Sequence, residues 1–279
     1  MLKAVKLKQP AIFLSISVGV LLLPLHVCVA ADADYCPPTQ ADAPHVSTPP
    51  AWVPTFYSKY IEADGIAILS SQKVCDRSLQ LAYVIVSHML AKRPDIRQRL
   101  SDLKARAVIC SADEKQTDLP EFKQLAGKYA NAAHTRTYDS SCGATGFKDN
   151  PVSASSEANL LGSLEPIKGR SIFIHEFGHL IQNVGLDQET RKRINELYEQ
   201  ARAAHLFLPN SGSPPSYAMS NEMEFFAMAT GAWFSAANWQ APFNSAHERN
   251  RDTQAAHDPE LDRILSEIYP ADDWHFPTR

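Results

Sequence analysis

Short apolar runs alternate along this chain with segments whose apolar residues recur at helical spacing. Gly65-Ile66-Ala67-Ile68-Leu69 and Ala105-Arg106-Ala107-Val108-Ile109-Cys110 read as short strands, and Leu79 to Leu90 as a helix with one apolar stripe. That order predicts an α+β fold with a sheet layer. Ser171-Ile172-Phe173-Ile174 leads into a largely apolar helix that continues through Leu180-Ile181 and is predicted to stop at Gly185, a C-terminal cap. Ile194, Leu197, Tyr198 and Ala201 mark one face of a further helix. Asn221 opens another, apolar nearly all round, that runs through Trp233 and Phe234. Tyr138 to Pro166, rich in glycine, proline and serine, reads as loops with one edge strand near Asn159-Leu160-Leu161. Asn210 to Pro215 reads as a flexible loop bordering the cleft, and no internal repeat is visible.

The first thirty residues have a pattern of their own. Lys3, Lys6 and Lys8 precede an apolar run from Ala11 to Leu25, and Cys28-Val29-Ala30 supplies small residues at a cleavage site. Residues 1–30 are therefore read as a secretory signal peptide cut after Ala30, with an uncleaved anchor as the alternative. Val27, before Cys28, is not the small residue that a lipoprotein signal has there, and the n-region lacks the paired arginines of twin-arginine export. Residues 31–54, rich in proline, alanine, aspartate and threonine, are predicted to form an extended leader, and residues 55–279 a single domain. The expected location is the periplasm or the outside of the cell.

Cysteine usage agrees with export. Cys36, Cys75, Cys110 and Cys142 remain after cleavage, and four cysteines in an oxidising compartment imply two disulfides with three possible connectivities. No two of them have the C-x2-C spacing of a structural zinc site. A hydrophobic share of 44% is that of a globular protein, and a net charge of −4 with mixed signs leaves no basic footprint for nucleic acid or anionic lipid. No spanning segment remains after cleavage, so no stable membrane insertion is expected. Oligomeric state is not legible.

The chemistry concentrates in His175-Glu176-Phe177-Gly178-His179. Residues four apart lie one above the other on a helix, so both imidazoles can meet one zinc ion about 2 Å from each ring nitrogen. Glu176 falls to the side, where its carboxylate can serve as general base to a water. A catalytic zinc site takes three protein ligands, so a third is sought. Gly185 stands where the metzincin pattern has its third histidine. Glu196 and Glu199 lie opposite the apolar stripe of their helix and are read as solvated. Glu224 shares a stripe with Ala227, Met228 and Gly231, where a carboxylate is costly unless paired or bound to metal. The competing reading is a capping box, with Asn221 as cap and Glu224 reaching back to it. Glu222 is read as a first-turn residue favouring the helix dipole. His134, His205, His247, His257 and His275 are read as surface or packing residues.

His175-Glu176-Phe177-Gly178-His179, together with Tyr217-Ala218-Met219-Ser220-Asn221-Glu222-Met223-Glu224-Phe225-Phe226-Ala227 and the interval between them, resembles the catalytic domain of the anthrax lethal factor family of gluzincins. The resemblance covers about residues 170 to 234. It implies a zincin-like metallopeptidase domain with a small mixed sheet and the HExxH motif on an active-site helix. It further implies one zinc ion per chain on His175, His179 and Glu224, with Glu176 as general base and Tyr217 facing the oxyanion. A zincin substrate commonly lies along a sheet edge beside the metal helix. The whole mature chain is similar to secreted peptidase-like proteins through Thr117-Asp118-Leu119-Pro120-Glu121, Glu157-Ala158-Asn159-Leu160-Leu161 and Ala232-Trp233-Phe234. The expected function is a secreted zinc-dependent metallopeptidase acting on a peptide or protein. The alternatives are a zinc hydrolase of a non-peptide substrate and a non-catalytic binding protein on a zincin scaffold.

Overall fold

The computed structural model describes residues 43–129, 137–139, 142–161, 170–207, 215–237, 250–274 and 276. The signal segment 1–30, Cys36, His134, Trp239, His247, His275 and nearly all of the 210–215 loop lie outside the described residues. The rest is α+β: a five-stranded mixed sheet with helices packed on it.

Strands β1 (Lys59–Ala63) and β2 (Ile66–Ser70) form an antiparallel hairpin. Its two-residue turn needs positive φ at both positions, and Asp64 (φ 51°) and Gly65 (φ 90°) supply it. β3 (Arg106–Cys110) lies parallel to β2, β5 (Val152–Ser156) parallel to β3, and β4 (Gly143–Thr145) antiparallel to β5, in the order β1-β2-β3-β5-β4. Both faces are covered, which is why β2 and β3 read as unbroken apolar runs. On one face Ile66, Ile68, Ala107 and Ile109 meet the helices, and on the other Leu69, Val108, Val152 and Ala154 pack with Val53, Tyr57, Leu119 and Phe122. β1 alternates buried Ile61 and Ala63 with more exposed residues, and the chain just before it adds a bridge between Ser47 and Tyr60.

Helix α1 (Asp76–Leu90) crosses the sheet after β2, its first turn held by Glu157, whose Oε1 accepts from Cys75 N at 2.7 Å and Ser78 Oγ at 2.8 Å. Helix α2 (Pro94–Asp102), opened by its proline, returns the chain to β3. The edge strand expected at Asn159-Leu160-Leu161 is a short helix instead, α3 (Glu157–Leu160), with Ser156 as its N-cap. The reason is Asn159, which is buried and spends its side chain on the next segment: Oδ1 accepts from Ile172 N at 2.6 Å and Nδ2 donates to Arg170 O at 3.1 Å. The edge strand on this side of the sheet is β4, with β1 at the opposite edge.

Helix α4 (Ile172–Leu180), capped by Ser171, carries the histidine motif and widens into a π-helical turn over Ile181–Gly185. Gly185 ends this run but not as a left-handed cap, since its φ is not positive. A Cβ there would sit 2.7 Å from Ile96 of α2, so the glycine is required by packing. Helix α5 (Gln188–Ala203) follows, capped by Asp187. Helix α6 (Glu222–Trp233) lies against α4, and α7 (Arg251–His257) and α8 (Pro259–Ile268) close the core with Leu261, Ile264, Leu265 and Tyr269. Among the described residues no helix is long and apolar enough to cross a membrane.

Cys110, at the end of β3, is bonded to Cys142, the residue before β4, and Cys75 is disulfide-bonded to a partner outside the described residues.

Candidate metal centre

Phe173, Ile174, Phe177 and Leu180 bury α4 on nearly every side, so the histidines on its remaining face have little solvent to turn to. His175 and His179 are 5% and 8% exposed, and their Nε2 atoms are 3.2 Å apart. Two imidazole nitrogens thus face one another across the same small space. The third group comes from α6. Asn221 caps that helix, its Oδ1 accepting from Met223 N at 3.0 Å and Glu224 N at 2.9 Å. The Glu224 carboxylate does not complete a capping box: its Oε2 lies 3.1 Å from His175 Nε2 and 3.4 Å from His179 Nε2. Among the described residues this is the one group of three or more such side chains close enough to share an ion.

Spacing tests whether these donors suit zinc. Two donors about 2.0–2.1 Å from a tetrahedral zinc ion are separated by about 3.3 Å. The three observed separations, 3.1, 3.2 and 3.4 Å, bracket that value. Two nitrogens and one carboxylate oxygen are also the donor types of an open zinc site.

The approach of α6 depends on the motif's fourth residue. A Cβ on Gly178 would lie 3.1–3.2 Å from three atoms of Thr230, so only glycine lets the helices meet this closely. Electrostatics bind the cluster as well. Burial opposes ionisation of Glu224, but His175 and His179 outweigh it and hold the carboxyl well below the usual range. Burial likewise opposes charge on His179, yet Glu224 and Glu176 raise it above its ordinary value.

Glu176 is 9% exposed, and its carboxylate meets β4 next to the histidines. Its carboxylate is no part of the three-donor cluster. Thr145 Oγ1 lies 2.7 Å from its main-chain oxygen and 2.9 Å from Oε2. Tyr217 sits in a 3-10 turn (Tyr217–Ser220) ahead of α6, is 36% exposed, and its hydroxyl donates to Glu224 Oε1 at 3.0 Å. The structure thus brings His175, His179, Glu224 and Tyr217 together, with Glu176 alongside.

The rival glutamates are elsewhere. Glu199 pairs with Arg202 at 2.6 Å and Glu196 with Lys192 at 3.7 Å, both on the exposed face of α5. His257 packs against Phe207 and shares a 2.5 Å hydrogen bond with Leu206 O, a packing role. Thr145, Gly143 and Asn159 were not singled out from sequence. Asn159 left a signal, a polar residue inside the apolar run Ala158-Asn159-Leu160-Leu161.

No protein-family model matches the chain, and no curated protein does. Among solved structures, the fold is similar to the PRO-PRO endopeptidase (PPEP-2) from Paenibacillus alvei. The TM-score is 0.46 at 14% identity, over 72% of this chain and 97% of that one.

Proposed function

We propose that this protein is a zinc-dependent metallopeptidase of the HExxH-plus-glutamate type, with one zinc ion on His175, His179 and Glu224. The observation that carries the reading is the mutual spacing of those three donors with a buried carboxylate, Glu176, beside them and outside the set. A purely structural site has no use for a base.

Zinc bound there supplies Lewis acidity, which polarises a carbonyl and lowers the pKa of water towards about 7. Glu176 accepts the proton of the attacking water and passes it to the leaving amine. Tyr217, 36% exposed and bonded through its hydroxyl to Glu224 Oε1, would donate that hydroxyl to the oxygen that gains charge. Among the described residues no strand pairs with the outer edge of β4, next to Glu176, so an extended peptide can meet its main-chain groups there. Export is part of the proposal, supported by the N-terminal charge and apolar pattern and by the Cys110–Cys142 disulfide. So is the division into signal, leader and one peptidase domain.

A peptide-library digest by the purified protein and its Glu176→Gln variant tests this. Cleavage by the wild type, lost in the variant while zinc is retained, supports the reading. Cleavage that survives in the variant overturns Glu176 as base. Turnover of esters but no peptide moves the protein to the non-peptide hydrolases.

A further inference from the structure

Resting on the function proposed above, we infer that the edge strand positions the general base, with Thr145 as its positioning residue and Gly143 as the space beside it. β4 pairs with β5 in the register Gly143↔Ser155 and Thr145↔Ser153. Residues two apart on a strand share a face, so Gly143 and Thr145 both look towards α4. Thr145 Oγ1 stands 2.7 Å from the Glu176 main-chain oxygen and 2.9 Å from its Oε2. A Cβ on Gly143 would lie 3.7 Å from Glu176 Oε1 and 3.2 Å from Ile172 Cγ2. One carboxylate is therefore seated between two residues of one strand, with an oxygen facing each.

The seat works by tying the end of a flexible side chain to its own backbone. The main-chain oxygen of Glu176 is fixed by α4, so a hydroxyl that touches both it and Oε2 selects one arrangement of the side chain. Both oxygens are acceptors, so the single hydrogen of the hydroxyl is shared between them in a three-centre bond. Gly143 leaves Oε1 clear of any side chain on that strand. β4 is itself held on three sides: by the ladder to β5, by Gln116, whose Oε1 accepts from Gly143 N at 3.4 Å, and by the Cys110–Cys142 disulfide one residue ahead of it. The serines opposite, Ser153 and Ser155, are buried and small, which keeps this strip of sheet close under α4. The strand proposed to receive the substrate is thereby the strand that aims the base.

Thr145→Val and Thr145→Ser separate this from plain packing, since valine keeps the shape without the hydroxyl and serine the hydroxyl without the methyl. Thr145→Val is expected to lower kcat by roughly 10- to 100-fold with KM and zinc content unchanged, the scale of a misaligned catalytic group. Thr145→Ser is expected to recover kcat to within about threefold of wild type. Crystal structures of both variants without zinc give a second readout: the Glu176 carboxylate leaves its seat in Thr145→Val and keeps it in Thr145→Ser. An undisturbed carboxylate in Thr145→Val overturns the inference, as does a kcat equal to wild type or a serine variant no better than valine. If the wild type cuts no peptide, the functional reading fails, and the position of Glu176 in the two crystals still decides the role of Thr145.

Discussion

Gly178 of α4 and Thr230 of α6 are in such close contact that a Cβ on the glycine would lie 3.1 Å from Thr230 Cγ2. Thr230 cannot yield easily, because it is fully buried and its hydroxyl is 3.0 Å from that of Tyr269. Gly178→Val is therefore predicted to force the helices apart, destabilising the protein by about 1–3 kcal/mol as overpacked cores do. Because the same contact brings Glu224 to the histidines, zinc affinity is predicted to fall as well. Urea unfolding of the metal-free protein and a zinc competition titration check the two effects; a valine variant as stable as wild type contradicts this account of the packing.

Tyr217→Phe removes the hydroxyl now donated to Glu224 Oε1 and proposed to turn to the substrate. Turnover is predicted to drop by roughly 100-fold with zinc still bound, the usual loss for one oxyanion donor. Steady-state kinetics with parallel metal analysis reads it. Loss of zinc with intact turnover per bound ion would show that the tyrosine serves only to hold Glu224.

Asn159→Leu leaves Ile172 N and Arg170 O without their side-chain partner at the mouth of α4. The predicted cost is about 1–3 kcal/mol, that of buried polar groups stripped of a hydrogen bond. Denaturant unfolding measures it, and a change below about 0.5 kcal/mol would mean the splint is dispensable.

Asp258 supplies a pH signature away from the site. It caps α8, accepting from Leu261 N at 3.0 Å, and burial pushes its carboxyl above the usual range. An acid whose folded pKa is raised favours folding when protonated, so its contribution is lost as pH climbs from the unfolded value near 3.9 through the folded one. Asp258→Asn keeps a cap without the charge. Relative to wild type the variant is predicted to gain stability as pH rises from about 4 to about 7, read from urea midpoints. A gap that stays constant or shrinks contradicts the assignment.

The site was more legible than the frame around it. Spacing alone put His175 and His179 on one helical face, and the charge of Glu224 inside an apolar helix demanded a partner, so three residues from two distant segments could be joined without coordinates. The strands β2 and β3 were legible because both faces are buried and their apolar runs are continuous. β4 was not: its three small residues carry no hydrophobic signal, whereas the apolar run at Asn159-Leu160-Leu161 has the signal of a strand and forms a helix. What decided that stretch was hydrogen bonding by Asn159 to a segment eleven to thirteen residues away, which periodicity does not register. Gly185 likewise followed the rule for a cap and proved to be there for Ile96. The disulfide pairing of Cys110 with Cys142 depends on β3 and β4 reaching the same end of the sheet, information held only in the topology.

The central claim is that His175, His179 and Glu224 hold one zinc ion, and metal analysis of the purified wild type beside Glu224→Ala and Glu199→Ala tests it most directly. The account predicts about one zinc per chain in the wild type and in Glu199→Ala, and little or none in Glu224→Ala. Zinc unchanged in Glu224→Ala, or absent from the wild type after zinc is supplied, would contradict it.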